Sequence, residues 1–349
     1  MNKYRSTTIY SILHFCVDGI CALAMVGWFA SQNNQWHFLA YNFCAFALQM
    51  PFGAFLDMMI MKRKHINIPY IVASLGVLLT ILGAILHPIL LGIGNALFHI
   101  GGGVGVIYED HANQWSGKAL GIFVAPGALG LFLGTQIAKD GMHPAKILSL
   151  ILVSILMIVL LIAFIYKCPK SEFKTRKEEV ITGNGTILAI GCFLVVILRS
   201  YVGLAVTFSW KNGLTLGLIC VLAVVLGKMS GGILAARFRM QNVMTISLVL
   251  ATIGYLFGEN YACGILALFV FNMSMPVTLY LLVCKFRELP GFSFGLLTFG
   301  LFLGYLPVYW GIQVPISGNV LGAGGSLLSL LMLVLAMRLG GAIDVDRNH

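Results

Sequence analysis

The chain has 349 residues, 59% of them hydrophobic and 10% charged, with a net charge of +10. A soluble domain carries about 25% charged residues, and the mean hydropathy here is +0.94. A soluble enzyme and a nucleic-acid reader are therefore excluded, and a protein that lives in the lipid bilayer is expected.

Taken in order, apolar stretches recur near 8–30, 36–56, 66–86, 89–108, 119–138, 146–166, 187–209, 213–236, 243–258, 262–283, 291–310 and 319–338. Most approach or exceed the roughly 20 residues that cross a bilayer as a helix. The charged start Met1-Asn2-Lys3-Tyr4-Arg5 resembles the head of a signal peptide. The run behind it is too long and carries His14 and Asp18 at its centre, so it reads as the first span. His87-Pro88 alone separates the third and fourth spans, and the ninth is short.

With both termini in the cytoplasm, 17 basic residues fall on the inside and only Lys139, Lys146 and Lys211 outside. Such a bias orients a multi-pass protein of the cell membrane. The longest break, 167–185, is basic and reads as a cytoplasmic linker. It divides the chain into an N-terminal six-helix half, 1–166, and a C-terminal six-helix half, 186–349. Cys168 lies in that linker and the other seven cysteines lie in spans without Cys-x-x-Cys spacing. They read as apolar filler, not as disulfides or a zinc site.

Ionisable groups in a span are costly and normally face a protein interior or a watery cavity. At 1.5 Å per residue, Asp18, His99 and Asn272 lie about 15 Å deep and Arg199 about 18 Å, all near the midplane. His14 and Asp18 share a helix face, as do Asn95 and His99. Asp18 is a candidate proton carrier, with Arg199 as its counter-ion or as an anion-binding group. His14 and His99 are candidate proton relays or solute ligands. A purely structural Asp18–Arg199 pair stays open. Lys228 reads as a snorkelling lysine or a contact for a substrate anion. Pro276 predicts a kink in the tenth span, and Gly101-Gly102-Gly103 a bend in the fourth. The patch Glu109-Asp110-His111 predicts a helix-end interaction or a gating contact.

Gly53-Ala54-Phe55-Leu56-Asp57 closes the second span ahead of Lys62-Arg63-Lys64. Gly231-Gly232-Ile233-Leu234-Ala235, ahead of Arg237 and Arg239, holds the matching place in the second half. Repeated halves mark secondary transporters. With the Gly/Pro-rich fifth span Gly121 to Gly134, where Gly130 and Gly134 form a GxxxG pair, these stretches resemble the major facilitator superfamily. The resemblance implies an all-α membrane protein of twelve transmembrane helices in two six-helix pseudo-repeats. It also implies a gate at Asp57, Lys62 and Arg63, where a carboxylate beside basic residues latches the cytoplasmic face. Three stretches resemble the fosmidomycin-resistance branch: His14-x-x-x-Asp18, Gly94-Asn95-Ala96-Leu97-Phe98-His99 and Leu198-Arg199-Ser200-Tyr201.

The expectation is a proton-coupled transporter, not an enzyme, moving a small anionic or zwitterionic solute through the bilayer as a monomer. The branch resemblance implies an exporter, hence an antiporter. The candidate substrate and proton residues are His14, Asp18, Asn95, His99, Arg199, Asn272 and Lys228. No cofactor is expected beyond the proton gradient, and no bound metal or nucleic acid. The alternative is a divalent transition-metal transporter using His14, Asp18 and His99.

Overall fold

The computed structural model describes residues 5–30, 35–62, 67–139, 141, 143–165, 184–312 and 314–340. Arg63 and most of the expected linker lie outside the described residues. Among the described residues there are helices and no strand. The spans are α1 (Ser6–Phe29), α2 (Gln35–Lys62), α3 (Ile68–Leu86), α4 (Pro88–Asn113), α5 (Lys118–Ala138), α6 (Pro144–Ile162), α7 (Gly185–Ala205) and α8 (Gly213–Ala235). They continue with α9 (Met240–Leu256), α10 (Tyr261–Lys285), α11 (Pro290–Tyr309) and α12 (Gly318–Gly340). All but α9 are long and apolar enough to cross a membrane. At 17 residues α9 is short, in keeping with the short ninth apolar run.

Proline sets the breaks. In α10 the helix stops at Asn272 and restarts at Ser274. The ring of Pro276 excludes the carbonyl four residues back, that of Asn272, which gives the expected kink. Pro126 splits α5 into Lys118–Val124 and Pro126–Ala138. By contrast α4 runs unbroken from Pro88 to Asn113. The glycines 101–103, where a bend is expected, serve close packing. Gly101 lies against the backbone of Ala73, and a Cβ on Gly103 would meet the ring of Phe294.

Helices α1–α6 and α7–α12 form two halves that touch along α2/α11 and α5/α8. These are second-with-fifth pairings in each direction, so the interface follows the pseudo-two-fold relation of the repeats. Glycine makes both crossings tight. A Cβ on Gly53 would strike the carbonyl of Gly291, and one on Gly121 would lie 2.9 Å from the Cα of Gly232.

Both crossings lie toward the end that carries the basic loops. There the buried Asp57 of α2 accepts hydrogen bonds from the backbone N–H groups of Gly291 and Phe292, each at 2.8 Å. The first N–H groups of a helix lack partners inside it, and Leu289 offers α11 no side-chain cap. Asp57 supplies that cap from the other half, with its charge at the positive end of the helix. Of the expected gate, the Asp57 carboxylate thus holds backbone amides of the other half, Lys62 is exposed at the end of α2, and Arg63 lies outside the described residues. Asp110 behaves alike within one half, accepting from Gly117 N at 2.7 Å and Ala119 N at 2.8 Å at the start of α5. That is the helix-end interaction the acidic patch predicts.

Removing the Asp57 carboxylate leaves two N–H donors unpaired at a buried helix end, a loss of about 1–3 kcal/mol per donor. Asp57→Ala should lower the thermal midpoint of the detergent-solubilised protein by several degrees, while Lys62→Ala leaves it unchanged. Equal midpoints for the two variants would refute the capping role.

Candidate functional site

The site is built on the break in α5. A proline has no N–H and disrupts the helix around it, so carbonyls just before Pro126 are freed in a medium that offers them no water. Each backbone polar group at membrane depth has to be satisfied within the protein. Three side chains from other helices do this. Ser11 Oγ, whose hydrogen is shared with the Thr7 carbonyl of its own helix at 2.7 Å, reaches the Ile122 carbonyl at 3.3 Å, His14 Nδ1 lies 2.7 Å from the Phe123 carbonyl, and Lys228 Nζ donates to the Val124 carbonyl at 3.4 Å. Two of these come from α1 and one from α8, so the break joins both halves.

α1 reaches α5 closely because small residues face it. A Cβ on Gly130 would meet the carbonyl of Phe15, and one on Gly134 the carbonyl of Gly19. The expected GxxxG pair is therefore the seam on which α1 rests.

His14 is the centre of the cluster. Its Nδ1 is held by the Phe123 carbonyl, so its Nε2 is directed elsewhere. That atom lies 2.9 Å from Nε2 of His99 and 3.2 Å from Oδ2 of Asp18. His99 is arranged in the same way. Its Nδ1 faces the carbonyl of Asn95 at 2.9 Å, and its Nε2 lies 3.7 Å from Oδ1 of Asp18. Asn95 Nδ2 donates to Asp18 Oδ1 at 3.2 Å and approaches Cys21 Sγ at 3.5 Å. The two imidazoles meet edge to face, with ring centroids 4.5 Å apart. His14, His99 and Asn95 are buried, and the Asp18 side chain keeps 20% of its surface open. The cluster thus presents one carboxylate edge to an accessible space.

The structure brings His14, Asp18, Asn95 and His99 into direct contact. It does not pair Asp18 with Arg199, and this corrects the expected counter-ion. Among the described residues the ion partners of Asp18 are the two histidines. Arg199 is buried in α7, and its Nη1 has no hydrogen-bond partner among the described residues. Lys228 is near enough to act through space on Arg199, Asp18 and His99. It links the cationic part of the C-terminal half to the acidic part of the N-terminal half. Asn272 turns back to the carbonyl of Leu268 at 2.8 Å on its own helix, which makes it a helix-break residue.

Two components escaped the sequence reading. One is the Phe123 carbonyl, since a backbone atom leaves no mark on residue identity, although the Pro126 break signals it. The other is Gly127. A Cβ there would run into His14 Nε2 and Asp18 Oδ2, so only glycine leaves the cluster its space.

Comparison with solved structures places this architecture. The E. coli fucose:proton symporter FucP matches with a TM-score of 0.65 and 11% identity, over 96% of this chain and 99% of that one. A structure of FucP in the outward conformation, described as a major facilitator superfamily transporter, matches at 0.59 and 11%, over 95% and 97%. A bacterial homologue of the iron transporter ferroportin, in an outward-facing state, matches at 0.62 and 13%, over 97% and 100%. The chain therefore has the fold of major facilitator superfamily transporters, in two six-helix repeats. Comparison of the sequence with family models and with curated proteins gives no match.

Gly127→Ala should part His14 from Asp18 and His99 without unfolding the protein. The histidine side-chain 15N spectrum should lose the signature of two coupled rings, while the thermal midpoint stays within a few degrees. An unchanged histidine spectrum would show that Gly127 does not set the cluster.

Proposed function

We propose that this protein is a proton-coupled secondary transporter that moves a small anionic or zwitterionic organic solute across the cell membrane by alternating access. The observation that carries the proposal is the 2.9 Å separation of the two Nε2 atoms. Each Nδ1 faces a carbonyl, an acceptor, and so carries its proton. With both rings neutral, two Nε2 lone pairs would then face each other. A hydrogen bond at this distance needs one further proton, which makes the pair singly charged. Asp18, next to both rings, neutralises that charge. The cluster is thus a site for one proton, released and regained without rearranging its hydrogen bonds to the backbone.

The carrier of the proton is therefore the histidine pair, with Asp18 as its counter-charge, in place of Asp18 alone. The solute's negative charge has a partner in Arg199 and Lys228. A buried guanidinium without an anion is costly, and an anionic solute relieves that cost. The alternative cargo, a divalent metal held by His14, Asp18 and His99, puts a double charge beside these two cations. A shared proton leaves the cluster neutral and suits them better.

The basic end of the bundle is taken as cytoplasmic, with both termini there. Contacts between the halves that support closure at this end are the Asp57 cap on α11, Tyr280 against Gly117, and Phe294 against Gly103 and Phe123. The described form then faces outward. Export, and with it exchange of solute for protons by a monomer, follows from the likeness of the His14, His99 and Arg199 stretches to the fosmidomycin-resistance branch.

The test is accumulation of candidate anions and zwitterions by cells with and without the protein, with and without a pH gradient. Gradient-dependent movement is expected in the native protein and its loss in Asp18→Asn and in His99→Ala. Gradient-driven movement that survives both substitutions would sink the proposal.

A further inference from the structure

The geometry of the same cluster points to a second occupant. We infer that His14, Asp18 and His99 bind a divalent transition-metal ion of the zinc type, in competition with the proton. The inference rests on reading the cluster as a cation site open to the solute path.

The donor atoms are already at metal-binding spacing. Zinc–nitrogen and zinc–oxygen bonds of about 2.0–2.1 Å in a tetrahedral site set neighbouring donors about 3.3 Å apart. The two imidazole nitrogens are 2.9 Å apart, Asp18 Oδ2 is 3.2 Å from His14 and its other oxygen, Oδ1, 3.7 Å from His99; one donor atom from each residue can be chosen with all three within 4.8 Å, so the carboxylate turns slightly to bring a single oxygen to both. Each donor also has the outer partner that metal ligands use. A ligating histidine normally gives its other N–H to a carbonyl or carboxylate, which fixes its orientation. His14 does so at Phe123 and His99 at Asn95, while the Asn95 amide holds the carboxylate. Three protein donors leave a fourth position for water, as in zinc sites that exchange ligands. Among the described residues Asn95 Oδ1 is buried without a hydrogen-bond partner, an acceptor for a metal-bound water. Imidazole and carboxylate donors select zinc, cobalt or nickel over magnesium, which prefers an all-oxygen octahedron.

The surrounding charges limit the affinity. Lys228 and Arg199 are the cations on the opposing helices α8 and α7, and Lys228 acts on both Asp18 and His99. Cys21 and Tyr41 are the other titratable groups close by, and their positions lie beside Asn95 and Asp18. A divalent ion leaves the cluster with one net positive charge, where the proton leaves none. Binding is therefore reversible, and it tightens when Lys228 loses its charge.

The experiment is titration of the purified full-length protein in detergent with Co2+, followed by the visible absorption of tetrahedral cobalt. One Co2+ per chain is expected, displaced by Zn2+ and not by Mg2+. Exchange of one proton for one ion predicts about tenfold weaker binding per unit fall in pH. Lys228→Gln should tighten binding by roughly tenfold, and the His14→Ala/His99→Ala double variant should lose it. Lys228→Gln and the pH series keep the test valid if the double variant does not fold. No tetrahedral cobalt signal at millimolar Co2+, an affinity independent of pH, or an unchanged affinity in Lys228→Gln would each overturn the inference. Absence of cobalt binding in a protein that still moves solute with the pH gradient defeats the metal site alone. Cobalt binding in a protein without gradient-driven movement upholds the metal site and defeats the proton reading.

Discussion

Everything around the polar cluster depends on one constraint: a carbonyl in hydrocarbon has to be hydrogen-bonded by the protein itself. Pro126 frees carbonyls in the middle of α5, and the neighbouring helices answer with Ser11, His14 and Lys228. The answer from His14 settles which of its nitrogens faces the backbone and which faces Asp18 and His99. Chemistry at the centre of the bundle is thus a consequence of backbone accounting in one broken helix. An intact α5 would keep those carbonyls for itself, and His14 would have no fixed tautomer.

The two halves share a fold but divide the charges. The N-terminal half holds the carboxylate and both histidines, on α1 and α4. The C-terminal half holds Arg199 and Lys228, on α7 and α8. Lys228 crosses to a carbonyl of α5, so the interface between the halves is also where the unlike charges meet. The Asp57 carboxylate works at the far end of the same interface. It ties α2 to α11 through two backbone amides. Glycines at both crossings let backbones touch.

Much of the architecture was legible in the sequence, for a local reason. Whether a stretch crosses a bilayer depends on its own length and apolarity, so eleven membrane-long helices, the short α9 and the hairpin at His87-Pro88 follow from the runs alone. Pro276 announces the break in α10 because its ring acts within one turn. Depth is local too, and counting residues places Asp18, His99 and Arg199 at one level.

What the sequence by itself could not decide is rotation and neighbourhood. Depth is one coordinate, and the direction in which each side chain points depends on how helices pack. Packing assigned Asp18 to two histidines and left Arg199 without that carboxylate. It gave Asp57 to amides 234 and 235 residues away instead of to the nearby lysine. It put Gly101 against the backbone of Ala73 and Gly103 against the ring of Phe294. In each case the partner is a backbone atom or a residue on another helix. Residue type along one strand of chain carries no record of such an atom, and only the folded bundle brings it within bonding distance.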